Sequence, residues 1–280
     1  MLHIIQENLF REVHYDLLIS TIKKYGLPYK IVRVYPFIDW VVDINDVPEN
    51  FVNVEDLPQI DPKGDIWCWG SLKMTRIAKE RGWNPGTQIN DNHNFEVYSK
   101  WWGELLLNHD SILTTIGSDL PWERGTLFLR PVKDSKAFTG AVFGKQKWET
   151  TCGMHLDEPG YPEFNKDVVI QVSTPKIIFK EIRLWIVNSK IITGSYYKLG
   201  NEFHLDNNIE PDALDFAYKV IERGELAEAW VLDICDSADG WKVVEAGCIN
   251  HAGFYASELD KTLEAIEEHF GNLAHKDIRI

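Results

Sequence analysis

The sequence predicts an α/β N-terminal domain followed by an α+β domain with antiparallel sheets. In the first hundred residues, short apolar runs alternate with amphipathic segments of helical length, which is the pattern of a layered, largely parallel sheet. From about residue 110, long apolar runs lie on either side of tight turns, which indicates antiparallel hairpins. The turn-rich stretch at 108–120 separates the two patterns, so we expect domains at 1–112 and 113–280.

The N-terminal part supplies three predicted strands and three predicted helices. The strands are LHIIQ, PYKIVRVYPF and DIWCWGS, and the helices are NLFREVHYDLLISTIKKYG, LKMTRIAKERG and NFEVYSKWWGELLLN. Apolar residues recur near helical spacing in these helices. Gly26 and Gly82 follow the first two helices as stop signals.

The second part is built from two predicted hairpins and two helices. The hairpins are KIIFKEIRLWIVNSKIITGSYYK, which turns near Asn188 and Ser189, and AWVLDICDSADGWKVVEAG, which turns at 236–240. Pro211 begins the helix PDALDFAYKVIERG, and Ser257 is an N-cap for the helix SELDKTLEAIEEHFG.

Composition narrows the class of protein. The chain has 280 residues, of which 44% are hydrophobic and 26% are charged, and its formal net charge is −14. This charge disfavours non-specific binding to nucleic acid or to an anionic membrane. No apolar run approaches the roughly 20 residues that span a bilayer, no basic leader precedes an apolar stretch, and four cysteines do not make a disulfide scaffold. We therefore expect a cytoplasmic protein without nucleic-acid or membrane partners.

The hairpin at 229–246 carries a pair of carboxylates. Residues two apart on a strand share a face, so Val231, Asp233 and Cys235 lie together, as do Trp241, Val243 and Glu245 on the next strand. The hairpin brings Asp233 and Glu245 to the same side, where two carboxylates repel each other unless a cation lies between them. Mg²⁺ with oxygen ligands fits such a pair, although an ordinary acidic surface hairpin fits the pattern equally well.

Two cationic stretches are candidates for an anion site. Arg130 ends an apolar strand, and Lys133 and Lys136 follow it in a loop that could cover phosphates but lacks the spacing of a P-loop. Glu181 and Arg183 share one face of a later strand, between large apolar residues. Arg183 either binds phosphate through its planar fork or forms a structural ion pair with Glu181.

A zinc site is a weaker alternative. The segments CGMH and CINH place Cys152 with His155 and Cys248 with His251, both with C-x-x-H spacing. Two such pairs could form a tetrahedral zinc site in a binding protein rich in tryptophan.

The order of these motifs resembles the ATP-grasp superfamily. It is most similar to a clade of phages and bacteria that is marked by two arginines and a lysine. The resemblance lies in LRPVKDSKAFTG, EIRLWIVNSKIITGSYY, WVLDICDSADGWKVVEAGCINHAGFY and the region of Gly70, Ser71, Gly82, Trp83, Pro85 and Gly86. It therefore covers most of the chain and implies a pre-ATP-grasp-like N-terminal domain and an ATP-grasp domain of two subdomains.

The resemblance also implies a set of site residues. ATP would lie between the two subdomains, with its adenine edge at the connecting segment around Gln171, Val172 and Ser173. The nucleotide contacts would further include Arg130, Lys133, Lys136, Glu181 and Arg183, of which Arg183, Lys136 and Arg130 are the catalytic candidates. Mg²⁺ would bind Asp233, Glu245 and Asn250. Most members of the superfamily have Asn two residues after the metal-binding Glu, where this chain has Gly247.

The activity that the resemblance implies is ATP- and Mg²⁺-dependent ligation of a carboxylate to an amine through an acyl phosphate. The substrates would be small molecules or peptides, with an amino acid or a peptide as the suggested carboxylate. The location would be the cytoplasm, or the cytoplasm of a host cell if a phage encodes the chain. The alternative is a nucleotide-binding module without catalysis that acts as a sensor or assembly partner, which the displaced Asn keeps open. The sequence leaves the oligomeric state unknown.

Overall fold

The computed structural model describes residues 1–7, 14–35, 37–132 and 137–271. Within these residues, no helix is long and apolar enough to cross a membrane. The described helices and strands form three sheets with flanking helices.

The first sheet is mainly parallel, as the alternation of strands and helices predicts. Its strands are β1 (Leu2–Gln6), β2 (Tyr29–Val34), β3 (Val41–Asp43), β4 (Asp65–Trp69) and β5 (Asn84–Gly86). Their spatial order is β3-β2-β1-β4-β5, and only the β2–β3 pair is antiparallel. The helices of this region are α1 (Tyr15–Lys24), α2 (Leu72–Glu80) and α3 (Phe95–Trp102).

The second sheet is formed by β6 (Ile112–Thr115), β7 (Leu127–Pro131), β8 (Ala141–Phe143) and β9 (Val169–Ser173). It is antiparallel, in the order β6-β9-β7-β8. Helix α4 (Lys145–His155) accompanies it. Sequence reasoning missed α4 because its apolar residues do not recur at helical spacing, and Trp148 is its one buried residue.

The third sheet carries the two predicted hairpins. Its strands are β10 (Ile178–Val187), β11 (Lys190–Leu199), β12 (Glu202–Asp206), β13 (Ala229–Ser237) and β14 (Gly240–Cys248), in the order β12-β11-β10-β13-β14. Asn188 and Ser189 both have positive φ, as the two-residue turn between β10 and β11 requires. The β13–β14 turn is shorter than predicted, because the strands extend to Ser237 and from Gly240. Helices α5 (Pro211–Arg223) and α6 (Leu259–Phe270) follow β12 and β14 in sequence.

The chain forms two compact units. The described residues of Met1–Asn90, Lys180–Ile234 and Glu245–Ile280 form the first unit, and those of Asp91–Phe179 and Cys235–Val244 form the second. The first unit therefore contains the parallel sheet and most of the third sheet, and the second unit contains β6 to β9. The sequence-based division at 112/113 follows chain order and stays a prediction.

Helix α6 joins the first and third sheets within the first unit. One apolar cluster includes Ile5 of β1, Trp185 of β10, Val231 of β13 and Leu263 of α6. A buried polar contact adds to it, since the Nε2 atom of His3 lies 2.6 Å from Oε1 of Glu267. The third sheet is thus held firmly against the N-terminal part of the chain, which fixes the positions of the side chains described below.

Candidate functional site

Arg183 and Asp233 form a buried ion pair at the centre of the third sheet. The Nε of Arg183 donates to Oδ1 of Asp233, and its Nη2 donates to Oδ2, both over 2.8 Å. Strands β10 and β13 are neighbours, so the two side chains meet across the sheet on one face. Parallel bonds of this kind fix the plane of the guanidinium as well as its position.

Aromatic rings and a backbone carbonyl complete the surroundings of Arg183. Its Cζ lies 5.1 Å from the ring centre of Tyr255 and 5.9 Å from that of Tyr197, and the two rings are stacked at 5.0 Å. Its Nη1 donates to the carbonyl oxygen of Gly253. Burial by itself lowers the pKa of Arg183, but the charge and hydrogen bonds of Asp233 outweigh burial and raise the pKa above its ordinary value. Arg183 therefore keeps its charge in a nearly dry environment.

Tyr255 adopts a strained backbone conformation to reach this position. Its φ is +53°, in the left-handed region that residues other than glycine rarely adopt. Such strain persists only where the surrounding contacts hold it, and it is frequent at functional sites. Burial raises the pKa of the Tyr197 hydroxyl far above its ordinary value, with further contributions from the charges of Asp233 and Glu181. Tyr197 is accordingly neutral.

Glu181 does not pair with Arg183, which corrects the structural alternative raised by the sequence. Its carboxylate accepts hydrogen bonds from the Tyr197 hydroxyl and from Nζ of Lys198, both at 2.8 Å. The reason is a β-bulge: Glu181 pairs with Lys198 and Ile182 pairs with Tyr196, which leaves Tyr197 as the extra residue. Two consecutive side chains of β11 thereby reach the same carboxylate.

Glu245 faces the same side of the sheet as Asp233. A Cβ added to Gly247 would lie 3.5 Å from Cγ2 of Val231, so these two positions share a face. Asp233 and Glu245 lie two residues from Val231 and Gly247 along their strands and therefore share that face too. Carboxylate oxygens are the ligands that Mg²⁺ prefers, so Asp233 and Glu245 fit this ion.

Asn250 is committed to the N-terminal part of the first unit. Its Oδ1 accepts from the backbone N–H of Gln88 at 2.8 Å, and its Nδ2 donates to the carbonyl oxygens of Cys68 and Gly86 at 2.8 and 3.3 Å. The side chain is only 2% exposed. Metal binding by Asn250 stays a prediction, while the contacts here are those of a structural amide.

Replacing Asn250 with Ala is therefore expected to lower the free energy of unfolding by about 2–4 kcal/mol, because buried backbone groups lose their partners. Denaturant unfolding measures this loss, with the exposed Asn208→Ala as the matched control. Folded Asn250→Ala should also keep the effect of Mg²⁺ on ATP affinity. If the folded variant loses that effect, Asn250 is a metal ligand rather than a structural amide.

Arg130 and Gln171 are direct partners across the β7–β9 ladder of the second unit. Residues opposite each other on antiparallel strands point to the same face. Gln171 donates from Nε2 to the Ser111 hydroxyl at 2.8 Å, and Ser173 donates to Oδ1 of Asn108 at 3.0 Å. The sequence expectation that Arg130 and Gln171 belong to one site is thus compatible with their shared face.

Gln171, Val172 and Ser173 lie inside β9 rather than in a connecting segment. The segment after β9 consists of residues 174–177. Val172 is buried in an apolar cluster with Leu129, so its side chain faces away from Gln171. Contact of these three residues with adenine stays a prediction. Lys133 and Lys136 lie outside the described residues.

The zinc alternative gains no support from the structure. In the described part of the chain, which includes Cys152, His155, Cys248 and His251, no three His, Cys, Asp or Glu side chains gather where they could hold a metal ion. The thiol of Cys248 instead donates to Oδ1 of Asn250 at 3.2 Å. Two carboxylates such as Asp233 and Glu245 are a smaller set, suited to a cation that also binds a phosphate.

Sequence reasoning missed Tyr197, Lys198 and Tyr255. Tyr197 and Lys198 reach Glu181 through the bulge, and Tyr255 reaches Arg183 through its positive φ. Neither feature follows from residue spacing. Only the clustering of aromatic residues in the segments SYYK and GFYA could have drawn attention to them.

The family of the chain follows from its sequence as a whole. Residues 49–266 match the model of an ATP-grasp domain family, the third family of the clade that is named after two arginines and a lysine. The chain therefore belongs to this ATP-grasp family. No curated protein matches the chain at a significant level of sequence similarity.

Solved structures share the fold at low sequence identity. A D-alanine–D-alanine ligase from Bacillus anthracis, in complex with ATP, has a TM-score of 0.58 and 14% identity, over 96% of this chain and 93% of that one. The D-cycloserine synthetase DcsG has a TM-score of 0.56 and 11% identity, over 96% and 99%. The ATP-grasp ligase PsnB, in complex with a phosphomimetic variant of a minimal precursor, Mg and ADP, has a TM-score of 0.54 and 12% identity, over 96% and 98%. The chain therefore has the ATP-grasp fold, and the predicted fold class is confirmed.

Proposed function

We propose that this chain is an ATP- and Mg²⁺-dependent ligase that joins a carboxylate to an amine through an acyl phosphate. The observation that carries the proposal is the buried, doubly hydrogen-bonded pair of Arg183 and Asp233 on the face that also bears Glu245. A fixed cation beside two carboxylates suits the transfer of a phosphoryl group, because such transfer depends mainly on positioning and on neutralising charge. The named similar structures are ligases or synthetases, which agrees with this class.

Asp233 and Glu245 would hold Mg²⁺ in the proposed site. When bound, this ion would neutralise negative charge on the phosphates of ATP. A carboxylate has about four lone-pair positions, so the two hydrogen bonds from Arg183 leave Asp233 with positions for a metal. Arg183 would hold Asp233 in one orientation and place its own charge beside the transferred group.

Arg130, Lys133 and Lys136 would contact phosphate oxygens, and Gln171, Val172 and Ser173 would contact adenine. Val172 could do so only through its backbone, because its side chain is buried in the core of the second unit. Glu181 would orient Tyr197 and Lys198 next to the nucleotide. The carboxylate and amine substrates would be small molecules or peptides, and the location would be the cytoplasm.

The proposed reaction is tested by trapping the acyl phosphate. The protein would be incubated with Mg²⁺, ATP, hydroxylamine and a panel of amino acids and short peptides, while release of ADP is followed. A true carboxylate substrate should give ADP and a hydroxamate in equal amounts. ADP with no hydroxamate from any carboxylate that stimulates its release would rule out the acyl-phosphate route.

A nucleotide-binding module without catalysis is the second candidate. It is favoured by Gly247, which offers no side chain where most of the superfamily has a metal-binding Asn, and by the structural contacts of Asn250. This candidate requires tight, Mg²⁺-dependent ATP binding without ADP release under any substrate. Calorimetry and ADP release on the same preparation separate the two functions.

A further inference from the structure

Strand β12 is an exposed edge that natural proteins seldom leave unprotected. It is the last strand of its sheet, hydrogen-bonded to β11, and within the described residues no strand pairs with its other edge. All five of its residues are exposed. An edge strand presents unpaired N–H and C=O groups that can bind another extended chain, and β12 contains neither Pro nor Lys to prevent it.

The two faces of β12 differ in chemistry. Phe203 and Leu205 lie on one face, and their exposed fractions are 80% and 49%. Glu202, His204 and Asp206 alternate with them and lie on the other face. The edge therefore combines an apolar row with two negative charges, and the second observation limits what can bind.

The acidic residues disfavour a second copy of this chain as the occupant. In the antiparallel register that pairs all five residues of β12 with themselves, Glu202 of one copy lies opposite Asp206 of the other at both ends. Like charges directly opposite each other on a sheet destabilise the pairing. An added strand with Lys or Arg at those positions and apolar residues between them satisfies both faces.

The apolar face of β12 continues into the candidate site. Phe203 pairs with Lys198 of β11, and Lys198 pairs with Glu181 of β10. The ring of Phe203 also lies 6.4 Å from the ring of Tyr255, which covers Arg183. A chain bound along β12 would thus lie on the same sheet as Arg183 and Asp233.

We infer that the outer edge of β12 binds an extended, basic and apolar segment of a polypeptide substrate. This inference rests on the proposed ligase function. Four strand spacings of about 4.8 Å separate an added strand from β13, so the docked segment lies about 19 Å from the strand of Asp233. An extended chain covers about 3.3 Å per residue. The reacting carboxylate would therefore lie about six or more residues from the docked segment.

The test measures peptide binding without nucleotide. The probe is a fluorescein-labelled peptide of alternating lysine and valine, and the comparison peptide alternates glutamate and valine. Anisotropy should show binding of the basic peptide. Phe203→Ser should weaken it by about tenfold or more, because a large apolar contact is lost. Phe37→Ser, at a phenylalanine that is 96% exposed elsewhere, should leave binding unchanged.

Charge reversal sharpens the test. The double variant Glu202→Lys and Asp206→Lys should bind the acidic peptide better than the basic one. Equal binding of the basic peptide by the original protein and Phe203→Ser would overturn the inference. So would sedimentation that shows a dimer broken by Phe203→Ser, since the occupant would then be a second copy.

Failure of this inference is separable from failure of the proposed function. Affinity for ATP with Mg²⁺ is measured on the same Phe203→Ser preparation and should be unchanged. If peptide binding fails while Mg²⁺-dependent ATP binding and hydroxamate formation persist, the docking edge is wrong and the ligase stands. If the peptide binds as expected but no hydroxamate forms, β12 is a docking edge and the ligase function is wrong.

Discussion

Glu245→Gln is expected to abolish the part of ATP affinity that depends on Mg²⁺. Glutamine keeps the size of the side chain but removes the charge that attracts a divalent cation. The protein should then bind ATP with the same affinity in Mg²⁺ and in a chelator, whereas the original protein should gain about tenfold or more from Mg²⁺, which corresponds to about 1.4 kcal/mol. Isothermal calorimetry with and without Mg²⁺ measures the difference.

Asp233→Asn is a less simple test of the same site. Asparagine would also leave the charge of Arg183 buried without its partner, which costs about 3–5 kcal/mol when one member of such a pair is removed. Glu245→Gln leaves the Arg183–Asp233 pair in place, so it separates metal binding from stability. Asp239→Asn, at an exposed turn residue, is the matched control. A Mg²⁺ effect of full size in the double variant of Asp233 and Glu245 would remove both carboxylates from the metal site.

The strands of the site could be predicted from the sequence because their patterns are local. Alternation in EIRLWIV and WVLDICD placed Arg183 and Asp233 on strands, and the hairpin put Asp233 and Glu245 on one side. These inferences need only the period of two in a strand. The short apolar strands and amphipathic helices of the N-terminal part were equally accessible, since buried faces dictate their spacing.

The partners of the charged side chains could not be predicted in this way. Spacing suggested a pair of Glu181 and Arg183, but pairing depends on which strands are neighbours and on the bulge at Tyr197. Asn250 looked like a metal ligand because of its position after Glu245, while its actual partners are backbone groups about 160 to 180 residues earlier. Contacts between distant parts of the chain leave no periodic trace in the sequence.

Arg183→Lys is expected to lower turnover by about a hundredfold or more, while ATP affinity changes much less. Lysine keeps the positive charge but lacks the planar fork that bonds both oxygens of Asp233, and it stacks less well on Tyr197 and Tyr255. If Arg183 stabilises the transferred phosphoryl group, the loss falls on kcat, because the interaction is strongest in the transition state. Steady-state ADP release and calorimetric ATP binding measure the two quantities.

The same substitution also tests whether Arg183 is purely structural. Breaking the ion pair should lower the melting temperature in either case, so stability alone does not decide its role. Arg81→Lys is a suitable control, since Arg81 donates to the backbone carbonyl oxygens of Asp39 and Ile60 in the N-terminal part, and its loss should affect stability and not turnover. Turnover per folded molecule must therefore be compared below the melting temperature of each variant. If folded Arg183→Lys turns over ATP as fast as Arg81→Lys does, Arg183 only holds Asp233 in the sheet and takes no part in the reaction.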